Sequence, residues 1–236
     1  STEAARAIMG RVNTLLPELH AKAVMEVEGQ ALRDAGYDTA LIGKSHLQVI
    51  GDNPPMMPRP EIPATHRAPA PDLAEAIRHD LGSLAYRNET PSHWAQEGAR
   101  VALPFYGFDH VELVTGHGDA LGGDYRRWLL ERRPDADSLL GAANQLPHDY
   151  GCPQAVRTAL PPELYPTAYI AERAEAWLKA REASDRPFFL MVSFPDPHHP
   201  FNPPGHYWDL YAPDDMPVPE AFTRNDWTTP PHVAGI

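Results

Sequence analysis

Leu32-Arg33-Asp34-Ala35-Gly36-Tyr37-Asp38-Thr39-Ala40-Leu41-Ile42-Gly43-Lys44-Ser45-His46-Leu47 carries a helix end, a strand and two basic side chains in one short run. Upstream, Leu19, Ala23, Val24, Val27, Ala31 and Leu32 recur at helical spacing, so the reading is a helix over 18–35. Gly36 falls just past its last turn, where a left-handed residue ends a helix. Tyr37 to Ile42 is short, β-prone and closed by Gly43. A helix, a glycine and a strand in this order form the unit that builds parallel sheets. Lys44 and His46 therefore fall just beyond the strand's C-terminal end, the edge at which open α/β sheets bind ligands.

Working outward, the next helix is expected over 71–87, with Pro71 in its first turn and Leu73, Ile77, Leu81 and Leu84 on one stripe. A second strand is expected over Phe108–Val114, with His110 and Glu112 alternating against apolar neighbours, then a short helix from Asp124 to Arg132. The segment 134–165 reads as irregular. A long helix follows from Pro166 to about Ala183, with Thr167 as its candidate cap. Phe188–Phe194 is a continuous apolar run between prolines, the pattern of a strand buried on both faces. It leads into Pro195-Asp196-Pro197-His198-His199-Pro200-Phe201. The expected fold is α/β, a mainly parallel central sheet flanked by helices, in one domain over 1–236.

Composition narrows the function. The chain has 236 residues, net charge −12 and one cysteine. The acidic balance argues against nucleic acid as a partner. One cysteine excludes an intrachain disulfide. No apolar run approaches the 20 or so residues of a membrane span, and Ser1-Thr2-Glu3 opens no secretory signal. The reading is a soluble protein, with cytoplasm and periplasm both open. The 27 prolines, about twice the usual share, cluster in long connections, where function often sits.

Lys44 offers a point charge with three donors, and His46 beside it a group that donates or accepts near neutral pH. Spacing alone reads more readily as a solvated loop with an incidental basic pair. His198 and His199 lie between prolines on a stiff platform. Either could neutralise an anion or protonate a leaving group. Alternation along an extended segment would point them in opposite directions and make joint metal chelation unfavourable. Asp214-Asp215 reads as an acidic turn, Cys152 as a bystander thiol, and His117 equally as a site residue or a surface turn.

Two stretches together resemble the sulfatase family. Ala35-Gly36-Tyr37-Asp38-Thr39-Ala40-Leu41-Ile42-Gly43-Lys44-Ser45-His46-Leu47 is similar to its AGYxTxxxGK-x-H-L segment. Arg186 to Phe194, continuing through Pro197-His198-His199-Pro200-Phe201, is similar to its RPFFLxxSFxxPHxPF strand and loop. Gly107-Phe108-Asp109 resembles the intervening GFD entry. The resemblance implies a metal-dependent hydrolase of the alkaline-phosphatase superfamily acting on a small sulfated or phosphorylated substrate. It implies that Lys44 contacts the nucleophile and a sulfate or phosphate oxygen. His46 would bond the nucleophile's hydroxyl, and His198 would bind the anion near the leaving oxygen, with His199 as the alternative. It also implies a divalent cation, Ca2+, and a formylglycine made from the cysteine of a C-x-P-S-R motif. That motif and the family's acidic metal ligands are missing from this sequence. No metal ligand is therefore assigned among its residues, and the chain is expected to be an internal piece of the catalytic domain, inactive alone. Phosphonate or phosphate diester hydrolysis, or a relative that only binds, remain the alternatives.

Overall fold

A computed structural model describes residues 28–48, 51 and 86–223. The first element, helix α1, is helical over 28–34. Its end is built as expected. Gly36 sits at φ +88°, its N–H donates to Arg33 O at 2.9 Å, and the Tyr37 N–H reaches back to Leu32 O at 3.0 Å. This paired reversal satisfies carbonyls that the helix leaves open. The expected helix residues 18–27 and nearly all of 71–87 lie outside the described residues.

Among the described residues four strands follow: β1 (Asp38–Gly43), β2 (His110–Thr115), β3 (Gly122–Gly123) and β4 (Phe188–Ser193). Their order in the sheet is β3-β2-β1-β4. β1 runs parallel to β2 and to β4, pairing Ile42 with Glu112 on one side and Val192 on the other. β3 adds a short antiparallel edge. Among the described residues the α-helices after α1 are α2 (Pro91–Trp94), α3 (Asp124–Arg132) and α4 (Pro166–Lys179). The segment between α3 and α4 carries only short 3-10 turns. The architecture is the expected mixed α/β sheet, mostly parallel.

Side chains alternate across the sheet. Ile42 and Val114 point to the face covered by α3 and α4, and join Tyr125, Leu129, Tyr169 and Ile170 in the main core. Leu41 and Leu113 point to the opposite face with Phe108, where Trp94, Phe189 and Met191 pack. Glu112 braces the helical face. It accepts from Arg173 Nε at 2.5 Å, from Arg173 Nη2 at 2.9 Å and from the Tyr169 hydroxyl at 3.0 Å, with His110 Nε2 at 3.2 Å. Burial alone would raise its pKa, but the bonds from His110, Arg173 and Tyr169 outweigh it and hold the carboxyl at about 2.

Two expectations change. The strand buried on both faces is β1, whose Ala40, Leu41 and Ile42 are fully buried. Among the described residues β4 is an edge strand, with Phe188 49% and Val192 37% exposed. An apolar run reports that a strand is apolar, but the neighbours it acquires decide its burial. The long helix is capped by Tyr165, with Pro166 at its first position. Thr167 instead donates from Oγ1 to Asp196 Oδ2 at 3.4 Å. The helix also stops at Lys179, earlier than expected.

Candidate active site

Because β1, β2 and β4 are parallel, their C-terminal ends share one edge of the sheet. Each exit there carries a histidine, and the β1 exit also carries Lys44. Gly43 makes the β1 exit possible. At φ +115°, a Cβ on it would lie 1.9 Å from Ser193 O, so only glycine lets β1 leave directly over the end of β4. The Lys44 N–H then donates to Ser193 O at 3.0 Å, which fixes where the lysine begins.

The β2 exit is Gly116-His117-Gly118, with both glycines at positive φ. A Cβ on Gly118 would sit 2.8 Å from Pro200 Cγ, so this turn and the β4 exit pack at close range. Asp119, the next residue, is buried and anchors the turn. It accepts from Thr158 Oγ1 at 2.5 Å and from the Gly141 N–H at 3.1 Å. His117 is thereby held against His198, ring centroids 3.9 Å apart at 25°.

The β4 exit folds into a turn over 196–200. The Tyr165 hydroxyl lies 3.0 Å from Asp196 Oδ1 and 3.1 Å from Asn202 Oδ1, tying both ends of the turn to the start of α4. Burial and the neighbouring Asp196 carboxylate push the Tyr165 phenol pKa well up, so it stays protonated as a donor. His198 Nδ1 bonds to His199 O at 2.7 Å. A carbonyl only accepts, so Nδ1 carries a proton and Nε2 is left for other chemistry. The two adjacent rings do not face apart. Their centroids are 4.3 Å apart, because strand alternation does not apply to a turn.

Lys44, His46 and His198, the three residues expected to form the site, thus sit on one edge, joined by His117 and His199. The electrostatics follow from that crowding. Burial first, then the charges of Lys44, His198, His199 and His46, lower the His117 pKa to about 4. Burial also lowers the Lys44 pKa, against the opposing pull of Glu89. An anion seated between Lys44 and His117 would favour the charged form of both and oppose these shifts. Asp214 and Asp215 lie elsewhere, exposed on a 3-10 turn, and Cys152 is an exposed free thiol.

Sequence reasoning missed one residue and undervalued another. His117 follows a strand's C-terminal end as Lys44 does, so the signal that singled out Lys44 was available for it. Glu89 had none. It is 1% exposed and collects hydrogen bonds from residues 45–48, more than forty positions upstream.

Comparison with known proteins agrees with this geometry. The Sulfatase family model matches residues 29–228. An arylsulfatase of Clostridium perfringens is 39% identical over 104 residues, 44% of this chain and 20% of that protein. A multifunctional alkaline phosphatase superfamily protein, PehA of Trinickia caryophylli, is 37% identical over 198 residues, 81% of this chain and 29% of that protein. The chain therefore spans less than a third of the length of these relatives. Among the described residues no helix is long and apolar enough to cross a membrane. With motif order, sheet topology and the matched span in agreement, the chain belongs to the sulfatase family of hydrolases.

Proposed function

We propose that this chain forms the anion-binding wall of a sulfuric ester hydrolase active site, as the internal part of a longer catalytic domain. The observation that carries the reading is the convergence of Lys44, His46, His117 and His198 at the C-terminal edge of one parallel sheet. Lys44 donates to a non-bridging oxygen of the bound ester and to the nucleophile. His46 hydrogen-bonds the nucleophile's hydroxyl. His198, with Nδ1 already donating to a carbonyl, presents Nε2 to the leaving oxygen and, acting as the doubly protonated imidazolium, gives it the Nε2 proton as the ester bond breaks. Charge that develops on the departing and equatorial oxygens meets fixed donors, the arrangement that lowers such barriers most.

The formylglycine nucleophile and a calcium-like cation belong to the same proposal and would come from outside this chain. When bound, such a cation supplies Lewis-acid stabilisation of the ester oxygens. Among the described residues no three His, Cys, Asp or Glu side chains gather so as to hold a metal ion. An ammonium with imidazoles around it also does not suit a cation that prefers oxygen ligands. These residues do not fit the metal, so the roles assigned to them are anion binding and proton transfer.

Phosphonate or phosphate diester hydrolysis is the second reading. It is supported by the length of the match to the alkaline phosphatase superfamily relative, 81% of this chain. A sulfate monoester and a phosphodiester both present a single negative charge to Lys44, so the wall serves either. The test is to compare kcat/KM on aryl sulfates, aryl phosphonates and phosphodiesters in the protein that carries this chain, with and without Lys44→Ala. Turnover lost with Lys44→Ala supports the proposal, and the preferred ester separates the two readings. Unchanged turnover in Lys44→Ala overturns the assigned role. A protein that binds sulfate but turns over no ester would be a binding relative.

A further inference from the structure

The β1 exit is held by one carboxylate. Glu89 Oε1 accepts from the Leu47 and Gln48 N–H groups, each at 2.8 Å, and from the Ser45 hydroxyl at 2.6 Å. Glu89 Oε2 accepts from the His46 N–H at 2.9 Å. The residue is 1% exposed, so water does not compete for these bonds. His46 is one of two non-glycine residues at positive φ among the described residues, at +54°. That left-handed backbone is unfavourable for a side chain with a Cβ and persists only where its surroundings impose it. The surroundings here are the Glu89 carboxylate, which needs the three N–H groups of 46–48 turned to one point.

The neighbouring residues fix Glu89 in turn. Gln48 Oε1 accepts from the Asn88 N–H at 2.9 Å and from Asn88 Nδ2 at 3.2 Å. Trp94 Nε1 donates to Asn88 O at 2.7 Å, and the Ala102 N–H to Asn88 Oδ1 at 3.2 Å. Thr90 caps α2 directly after it.

We infer that Glu89 is a positioning residue: its buried carboxylate gathers the backbone of 45–48, imposes the left-handed conformation at His46, and so sets the backbone from which Lys44 reaches an anion and His46 reaches the nucleophile. This rests on the reading of Lys44 as the anion-binding group and of His46 beside it as the partner of the nucleophile. Its cost is plain, because a negative charge stands close to a site meant for anions. Electrostatics alone would make the site bind anions better without it. What the carboxylate offers against that penalty is geometry, the four hydrogen bonds that gather 45–48.

The opposite signs make the test decisive. In the protein that carries this chain, inorganic sulfate and inorganic phosphate are titrated by NMR in wild type, Glu89→Gln, Glu89→Asp and Lys44→Ala. The exchange protection of the 46–48 amides and the three-bond HN–Hα coupling of His46 are read in the same samples. Glu89→Gln is near-isosteric and guards against loss of the fold. The expected result is lower protection at 46–48, a His46 coupling displaced from its left-handed value, and anion binding weakened about tenfold despite the lost negative charge. Lys44→Ala should weaken binding with 46–48 protection unchanged. Glu89→Gln with unaltered amides, or with tighter sulfate binding, overturns the inference while the Lys44 result stands on its own. If Lys44→Ala leaves binding unchanged, the anion reading falls. The amide protection and coupling then still decide whether Glu89 sets the loop.

Discussion

Two of the three loops that carry the site are held in opposite ways. The β1 exit, 44–48, is gathered by a single buried charge, Glu89, acting on backbone N–H groups. The β4 exit, 194–202, is held by a neutral phenol, a tight turn and stacked rings. A charged clamp on amides fixes the backbone and leaves Lys44 free to swing its long stem. A neutral clamp on side chains fixes the ring itself. The difference matches the chemistry proposed for each, since an ammonium only has to be near an anion while a proton donor has to be aimed at one oxygen.

The sharpest way to break this comparison is at the β4 exit. His198→Ala in the active enzyme should lower kcat/KM by about 10²–10³-fold, and less on esters with good leaving groups, which need little protonation. His199→Ala should cost little beyond its ring contact, because the hydrogen bond that His199 offers His198 comes from a backbone carbonyl that alanine retains. Equal losses at both positions would remove the aimed donor from the account. At the β1 exit the matching test is Gly43→Ala. A Cβ 1.9 Å from Ser193 O at φ +115° forces the strands apart, and stability should fall by about 2–3 kcal/mol, read by thermal or denaturant unfolding. An unperturbed Gly43→Ala would mean that the β1 exit does not depend on this close approach.

A third perturbation should separate the loops. Glu112 holds α4 to β2, and α4 begins at the Tyr165 cap that secures the β4 exit. Its carboxyl, at about 2, lies below its ordinary value of 4.5. The stabilisation is therefore complete above pH 4.5 and is lost as pH falls toward 2. Glu112→Gln should destabilise by roughly 2 kcal/mol near neutrality, since Arg173 is partly in water, and flatten the acid limb of the stability curve. His198 resonances should broaden while 46–48 do not. The smallest effect is expected of Tyr165→Phe, about 1 kcal/mol for the lost hydroxyl bonds, again confined to the β4 exit. A change of similar size at His46 would show the two loops to be one unit.

Much of the scaffold was legible in the sequence, and the reasons differ by residue. The end of α1 was readable because Gly36 is a local signal. α3 was readable over its full span, and the positions of β1, β2 and β4 follow from short apolar runs. Lys44, His46 and His198 were singled out as candidates by their place after those strands and by the resemblance of their motifs, and the fold brings them to one edge. The burial of β4 was misjudged because strand order is not a property of one strand. The direction of His199 was misjudged because periodicity was extended into a turn. Glu89 was invisible because three of its four partners are backbone N–H groups, which every residue but proline has.

The cationic edge has a further consequence when set against the whole chain, whose net charge is −12. On the function proposed above, this chain's share of the field repels an anionic ester at long range, while Lys44 attracts it at contact. Salt screens the first effect over a Debye length of about 8–10 Å and leaves the buried contacts less altered. Encounter with an anionic substrate should therefore quicken as ionic strength rises from low values, the reverse of electrostatic steering. The protein would then select in two steps, with entry discouraged for anions generally and retention granted to those that fit between Lys44 and His198.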